Sequence, residues 1–367
     1  MGAREASERL HARARAMVDA YARGEGATES FDALAADLAR FQATHVPGYA
    51  RLCVARGVAP EGIARAADAP AVPTDAFRIA SVFAFDTPGD AAVVFRTSGT
   101  TGGDARGVHA MRDPATYDAA ALAFGRVMLA GGLPARVPVV VVGPSTDEAP
   151  DSSLARMCTL FTRELGVAAP PEATFFVRAG ALDVAGLRGR IAGLPRQTPA
   201  ILLATSFALV HVLDALGGEA LPMPAGSRVM QTGGTKGKSR EVAPDALRAA
   251  VARAFGVDER AVVAEYGMTE LSSQFWEATI VDPAAAHGVY REPPWARVVP
   301  VDPESLRAVR DGEVGIARIE DLANVDSAFA VLTRDRVRRR NSGFELLGRA
   351  PGAPPRGCSI ALDEMLS

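Results

Sequence analysis

The sequence predicts an α/β chain with largely parallel central sheets, and three observations carry that prediction. The run Val139-Val140-Val141-Val142 is continuously β-branched, which suits a strand buried on both faces. Short apolar runs alternate with segments of helical apolar spacing along most of the chain. Three glycine- and hydroxyl-rich segments follow directly on predicted strands, where ligands of open α/β sheets bind.

Taken in order, residues 5–22 and 31–45 carry helical spacing, and the first 90 residues form an N-terminal helical segment. Residues 91–95 read as a buried strand leading into a loop. Pro138 opens the strand at 139–142, where a missing N–H is tolerated, and Gly143-Pro144-Ser145 ends it. A helix is expected over 153–165, a strand over 172–177 and a helix over 182–194. The apolar stretch 200–216 contains His211 and Asp214 and is short for a membrane span. It reads as a strand (200–203) running into a helix (206–216), with His211 as a core residue on an apolar face. A strand at 228–232, a helix at 245–255 and a strand at 261–266 follow. Arg291-Glu292-Pro293-Pro294 reads as a joining loop. Beyond it the pattern shortens to β-like pieces at 315–319, 328–332 and 344–347. The expected organisation is therefore residues 1–90 helical, 91–297 an α/β core, 298–350 a smaller β portion, and 351–367 a C-terminal tail.

Composition narrows the class. The chain has 367 residues, 48% hydrophobic and 23% charged, with a formal net charge of -3. That length builds a sizeable core, and the balance of charge offers no electrostatic case for nucleic acid or an anionic membrane. The N-terminus is polar and lacks a secretory pattern. The three cysteines, Cys53, Cys158 and Cys358, cannot all pair within the chain, which points to a reducing, cytoplasmic setting. No His/Cys set has zinc spacing, and no G-x-S-x-G elbow is present. Among 40 basic residues only Lys236 and Lys238 are lysines, and both lie in Gly233-Gly234-Thr235-Lys236-Gly237-Lys238. A compact ammonium at that turn suits a phosphate or carboxylate partner.

Two motifs carry chemistry. Thr97-Ser98-Gly99-Thr100-Thr101-Gly102-Gly103 gathers small residues, hydroxyls and backbone N–H groups, as a loop wrapped around phosphates requires. It is not a Walker loop, because no lysine follows the second glycine. Tyr266-Gly267-Met268-Thr269-Glu270 supplies an aromatic ring, a tight turn, a hydroxyl and a carboxylate, which suit adenine, a ribose–phosphate and a magnesium ion.

With Gly233-Gly234-Thr235, Thr333-Arg334-Asp335 and Gly348-Arg349, these motifs make an ordered set that resembles the adenylate-forming (ANL) superfamily of acyl and aryl ligases. Within it, the segment 321–327 (Asp-Leu-Ala-Asn-Val-Asp-Ser), the Gly233-Gly234-x-Lys236-Gly237 turn and the tail around Cys358 resemble the acyl-protein synthetases of bacterial luminescence (LuxE-type). The resemblance implies a large adenylation domain with two mainly parallel sheets. It also implies ATP and Mg²⁺ as cofactors and a carboxylic acid activated as its acyl-adenylate with release of pyrophosphate. The chain stops at Ser367, so the mobile C-terminal domain of ordinary acyl-CoA ligases is expected to be absent. Two departures stand out. The loop from Gly102 to Gly107 is one residue longer than usual, with Arg106 in place of a lysine. Arg334 also replaces a glycine.

On this resemblance, Thr97, Ser98, Gly99, Thr100, Thr101 and Gly102 hold phosphates, and Gly233, Gly234 and Thr235 form the adenine turn. Tyr266, followed by Gly267, Met268 and Thr269, stacks on adenine; Glu270 binds the metal, Asp335 the ribose and Arg349 ribose or phosphate. Lys236 supplies part of the charge that the missing domain would bring. His109, just after the phosphate loop, lines the acyl pocket or orients the carboxylate. Cys358 accepts the acyl group, its thiol acidified by Arg356 in a pliable tail. The acyl pocket is expected from 142–146, 205–209 and 268–275. Three readings follow. One is an acyl-adenylating ligase that loads Cys358 or a partner such as a reductase or carrier protein. The second is an aryl or specialised-metabolite ligase with an external acceptor (amine, carrier protein or CoA), and the third a non-catalytic carboxylate-binding scaffold. A homodimer is the expected assembly.

Overall fold

Four parallel strands lie side by side in the order Val139–Val142, Ile201–Thr205, Arg228–Thr232 and Val262–Tyr266. Their side chains are almost all buried, as continuous Val/Ile/Leu runs require when both sheet faces are covered. Phe275–Glu277 adds an antiparallel edge beside Val262–Tyr266. The helices Ser153–Leu165, Val184–Ala192, Ser206–Leu216 and Pro244–Phe255 alternate with these strands. Three of them begin on a side-chain cap: Ser152, Asp183 and Thr205 accept from the amides of Ala155, Gly186 and Ala208. Val140, Leu202, Val212, Val229, Phe255 and Val262 belong to one apolar core. This unit comprises Phe124–Gly267 and Phe275–Gly288 in a computed structural model that describes residues 2–85, 88–97, 106–234, 242–351 and 356–366.

The other unit gathers Met1–Ala123, Met268–Gln274 and Val289–Ser367. Its strands Ala296–Val301, Val314–Asp321, Ala330–Arg340, Gly343–Arg349 and Val289–Arg291 pair antiparallel in that order, and Val72–Pro73 runs parallel to Ala330–Arg340. Helices Ala3–Ala22, Phe31–His45 and Pro47–Ala55 open the unit, and a separate hairpin pairs Val93–Arg96 with Val108–Met111.

The α/β class and most elements are as expected, and two local expectations are corrected. The strand expected over 172–177 is extended only from Phe175, which bridges Val141, to the short strand Val177–Arg178. Pro170 and Pro171 lack N–H donors, so the chain makes a tight turn at Pro171–Ala173, closed by the Thr174 hydroxyl on the Pro170 carbonyl at 3.0 Å. Only then do Thr174 and Phe176 bond the main chain of Val141. The C-terminal segment is not an open tail, because Arg356–Leu366 is helical. Cys358, Ala361 and Met365 recur at helical spacing and are all buried. Arg51 donates to the Met365 carbonyl at 2.7 Å and Arg56 pairs with Glu364 at 2.5 Å. Residues 91–123, 268–274 and 289–297 group with the chain termini.

Candidate functional site

The hairpin that carries the phosphate-loop sequence is closed at its neck. Thr97 and Gly107 exchange two hydrogen bonds, backbone N–H to carbonyl at 3.0 Å and Gly107 N–H to the Thr97 hydroxyl at 2.8 Å. A Cβ on Gly107 would stand 2.9 Å from Thr97 Cγ2, so this pairing needs glycine. The Arg106 guanidinium folds back on the carbonyls of Thr97 (2.6 Å) and Arg96 (3.1 Å). Ser98, Gly99, Thr100, Thr101 and Gly102 lie outside the described residues, as do Thr235 and Lys236.

His109, on the second strand of this hairpin, donates from Nδ1 to the carbonyl of Thr269 at 2.7 Å. The ring is 1% exposed, and burial pulls its pKa down to about 4, outweighing the Thr269 carbonyl and the Asp326 carboxylate. It is therefore neutral, with the tautomer set by its carbonyl partner. So buried a ring has almost no contact with solvent. It ties the phosphate hairpin to the segment that ends in Glu270.

That segment is also held by the 321–327 sequence. Asp321 accepts from the amides of Ser272 (2.9 Å) and Ser273 (2.8 Å), and Asn324 donates to the Glu270 carbonyl at 2.8 Å. Burial raises Asp321 to about 6 against these hydrogen bonds. Glu270 itself is raised to about 7, chiefly by burial, with Arg349 drawing it down and Asp335 and Asp75 pushing it up. Three sequence-predicted residues, Glu270, Asp335 and Arg349, thus share one electrostatic environment. Asp335 and Arg349 are cross-strand partners, Nε to Oδ1 3.6 Å apart, and the Arg349 side chain is 73% exposed. The Thr333 hydroxyl accepts the Asp335 amide at 3.0 Å. Arg334 needs no glycine conformation, because among the described residues only Ala179 and Leu306 are non-glycines at positive φ. Asp75 escaped sequence reading, and only its proximity to Glu270 marks it.

Glu270 fits a magnesium ion. Its donor is a hard carboxylate oxygen whose charge burial and two neighbouring acids disfavour, a condition a cation relieves. No group of three metal-ligating side chains occurs among the described residues. Such an ion would be completed by phosphates and water, as magnesium commonly is.

The parallel sheet places Gly233 and Tyr266 on neighbouring strand ends. Thr232 is in register with Glu265, and the next residues are Gly233 and Tyr266. Gly233 has φ +69°, a left-handed turn that only glycine adopts readily, and its carbonyl accepts the Ser206 hydroxyl at 2.6 Å. The Thr232 hydroxyl donates to the buried Glu265 carboxylate, which burial raises to about 7. Tyr266 is 8% exposed, with one side toward Phe275.

The same unit holds an apolar cavity of about 410 Å³. Val142, Gly143 and Pro144 line it, as do Thr205, Phe207 and Ala208, so it draws on two of the three segments expected to form an acyl pocket. Residues 268–275 do not line it. Cys158 and His211 do. Cys158 is buried, and its thiol is pushed up to about 12 by burial and by Glu265. His211 corrects the sequence reading: it is exposed at this cavity, its ring edge-on to Phe207 at 4.5 Å. The only sequence signal for this was an imidazole on an otherwise apolar helix.

Cys358 lies on the C-terminal helix, 3% exposed. Burial and Asp75 raise its thiol to about 11, with Arg334 in partial opposition. The expected acidified thiol in a pliable tail is thus corrected.

The fold is that of the adenylation domain of adenylate-forming ligases. No protein-family model matches the chain, and no curated protein matches it. Among solved structures, 2-hydroxyisobutyryl-CoA ligase in its postadenylation state with 2-HIB-AMP superimposes with a TM-score of 0.61 at 14% identity, over 87% of this chain and 67% of that one. The same ligase with 2-HIB-AMP and CoA in the thioesterification state gives 0.60 at 16% identity, over 95% and 69%. At such identities the likeness is one of fold.

Proposed function

We propose that this chain activates a carboxylic acid with ATP. A carboxylate oxygen attacks the α-phosphorus, the new C–O–P linkage forms, and the bond to the β,γ-phosphates breaks to release pyrophosphate, with no net proton transfer. Such chemistry asks the protein to align two anions and to neutralise the charge that builds up between them. The phosphate-loop sequence would hold the phosphates, Asp335 the ribose hydroxyls, Arg349 a phosphate or ribose oxygen, and Gly233–Gly234 with Tyr266 the adenine. Glu270 would hold Mg²⁺, which when bound offsets phosphate charge. Lys236 is proposed to add a positive charge near the reacting groups. The acid's apolar part would occupy the 410 Å³ cavity, whose lining residue Thr205 is in register with Thr232, the residue before Gly233. The observation that carries the reading is the meeting of Glu270, Asp335 and Arg349 beside the segment that His109 ties to the phosphate hairpin.

For the second half-reaction, an external acceptor (an amine, a carrier protein or CoA) is favoured over Cys358. The buried helix and a thiol near 11 leave little thiolate at neutral pH.

Carboxylate-dependent exchange of pyrophosphate into ATP, with Mg²⁺ and a panel of aliphatic and aromatic acids, tests the proposal. Exchange supported by one acid class and lost in Asp335→Ala is expected. Absence of exchange with every acid, in protein that is folded, overturns it in favour of a non-catalytic scaffold. Intact mass after incubation with acid and ATP, in wild type and Cys358→Ser, locates any covalent acyl group.

A further inference from the structure

The cavity's walls are almost wholly apolar, which makes its one imidazole conspicuous. Val141, Val142, Leu203, Ala204 and Met230 bring aliphatic surface from the sheet. His211 lies at the other end of the lined stretch of helix. Thr205 caps that helix at the strand end and His211 is six residues on, a rise of roughly 9 Å. The His211 ring nitrogens have no hydrogen-bond partner among the described residues, and the ring stands edge-on to Phe207. A neutral imidazole offers one donor and one acceptor. A cavity of about 410 Å³ has room for on the order of a dozen non-hydrogen atoms, taking about 30 Å³ for each water-sized group.

We infer that the acid is a mainly apolar carboxylate of that size carrying a hydrogen-bonding substituent, such as a hydroxyl, at the end remote from its carboxyl group, and that His211 recognises this substituent. The inference rests on the adenylation reading and on assigning the cavity to the acyl group. The physical reason is an asymmetry of costs. An unsubstituted chain of the same length covers the imidazole with hydrocarbon and strips it of water without replacing the hydrogen bond. The substituted acid restores that bond. Most of the rest of the wall is indifferent to the choice, because apart from Ser152 and Thr205 it offers mainly apolar contact. His211 is thus a specificity-determining residue for the far end of the acid, and it takes no part in the chemistry at the carboxylate.

The test uses matched acids in the pyrophosphate exchange assay: octanoate against 8-hydroxyoctanoate, and cinnamate against 4-hydroxycinnamate. The hydroxylated member of at least one pair should be preferred by about tenfold in kcat/KM, expressed mainly in KM, as one added hydrogen bond allows. His211→Phe should erase or reverse that preference, with the change expressed mainly in KM for the hydroxylated acid. His211 is exposed, so the variant is expected to fold, which thermal melting checks. Ala208→Phe, which narrows the cavity, should discriminate against the longer acid of a homologous series. Exchange that proceeds equally with both members of each pair, or a preference that survives in His211→Phe, overturns the inference and leaves adenylation intact. An Ala208→Phe variant with unaltered chain-length selectivity removes the cavity assignment. If no acid in the panel supports exchange, the adenylation reading itself fails and this inference falls with it.

Discussion

Glu270 combines burial with neighbours of both signs, and its protonation should govern the proposed reaction. A carboxyl raised to about 7 is largely protonated at pH 6 and ionised at pH 8. Only the ionised form binds a divalent cation, so exchange at subsaturating Mg²⁺ should rise with pH through about 7. Removing the Arg349 charge takes away one of the two influences that lower this pKa, the other being a backbone hydrogen bond. Arg349→Met should therefore move the midpoint upward. Glu270→Gln should remove the pH limb altogether and cost at least tenfold in kcat/KM. A pH–rate profile of the three proteins, each checked for folding, decides the matter. A wild-type limb that persists unchanged in Glu270→Gln would assign the titration to another group. His109 bears on the same residue from a distance. Neutral and buried, it fixes the main chain one residue before Glu270 without presenting charge to it.

At the level of elements, the 321–327 segment owes its sequence to buried hydrogen bonding. Asp326 accepts from the Ser7 hydroxyl (2.6 Å), from His11 (3.0 Å) and from the Arg112 amide (2.8 Å). Gln42, fully buried on the helix Phe31–His45, spans the turn. Its amide nitrogen donates to the carbonyls of Asn324 (2.9 Å) and Val325 (3.1 Å), and its oxygen accepts the Phe329 amide (3.0 Å). Gln42→Leu leaves three buried main-chain groups without partners. It should cost about 3 kcal/mol or more, read as a drop in denaturation midpoint. A loss below about 1 kcal/mol would mean that water or a shifted main chain replaces the amide. Because Asn324 also bonds the Glu270 carbonyl, the same variant should slow exchange before it unfolds the protein.

Across the whole molecule, the thiols share one condition. Cys53 and Cys358 are raised to about 11 and Cys158 to about 12, in each case first by burial. Native protein at pH 8 should react slowly with a thiol reagent at all three positions and rapidly at all three in denaturant. One fast thiol in the native state, traced to Cys358 by mass, would revive acyl loading at that position.

Much of the secondary structure was legible. The helices 31–45, 153–165 and 206–216 and the strand 228–232 run over the expected residues, because apolar periodicity, polar N-caps and glycine punctuation act within a few residues of chain. The turn at Gly233 was legible for the same reason. Asp335 and Arg349 were marked by motif, but their cross-strand pairing depends on a register that no local pattern encodes. The helix at 356–366 was obscured by the glycines and prolines before it, and its amphipathic face has meaning only against the Pro47–Ala55 helix that covers it. The residue types of the site and the class of the fold were thus written in the chain itself, since local geometry and small-residue chemistry need few neighbours. Tertiary structure alone decided which groups are charged and which are reachable. Asp75 beside Glu270, His109 under Thr269, Cys358 sealed in a helix and His211 opened to a cavity all follow from burial and long-range contacts, which set solvation and therefore both pKa and access.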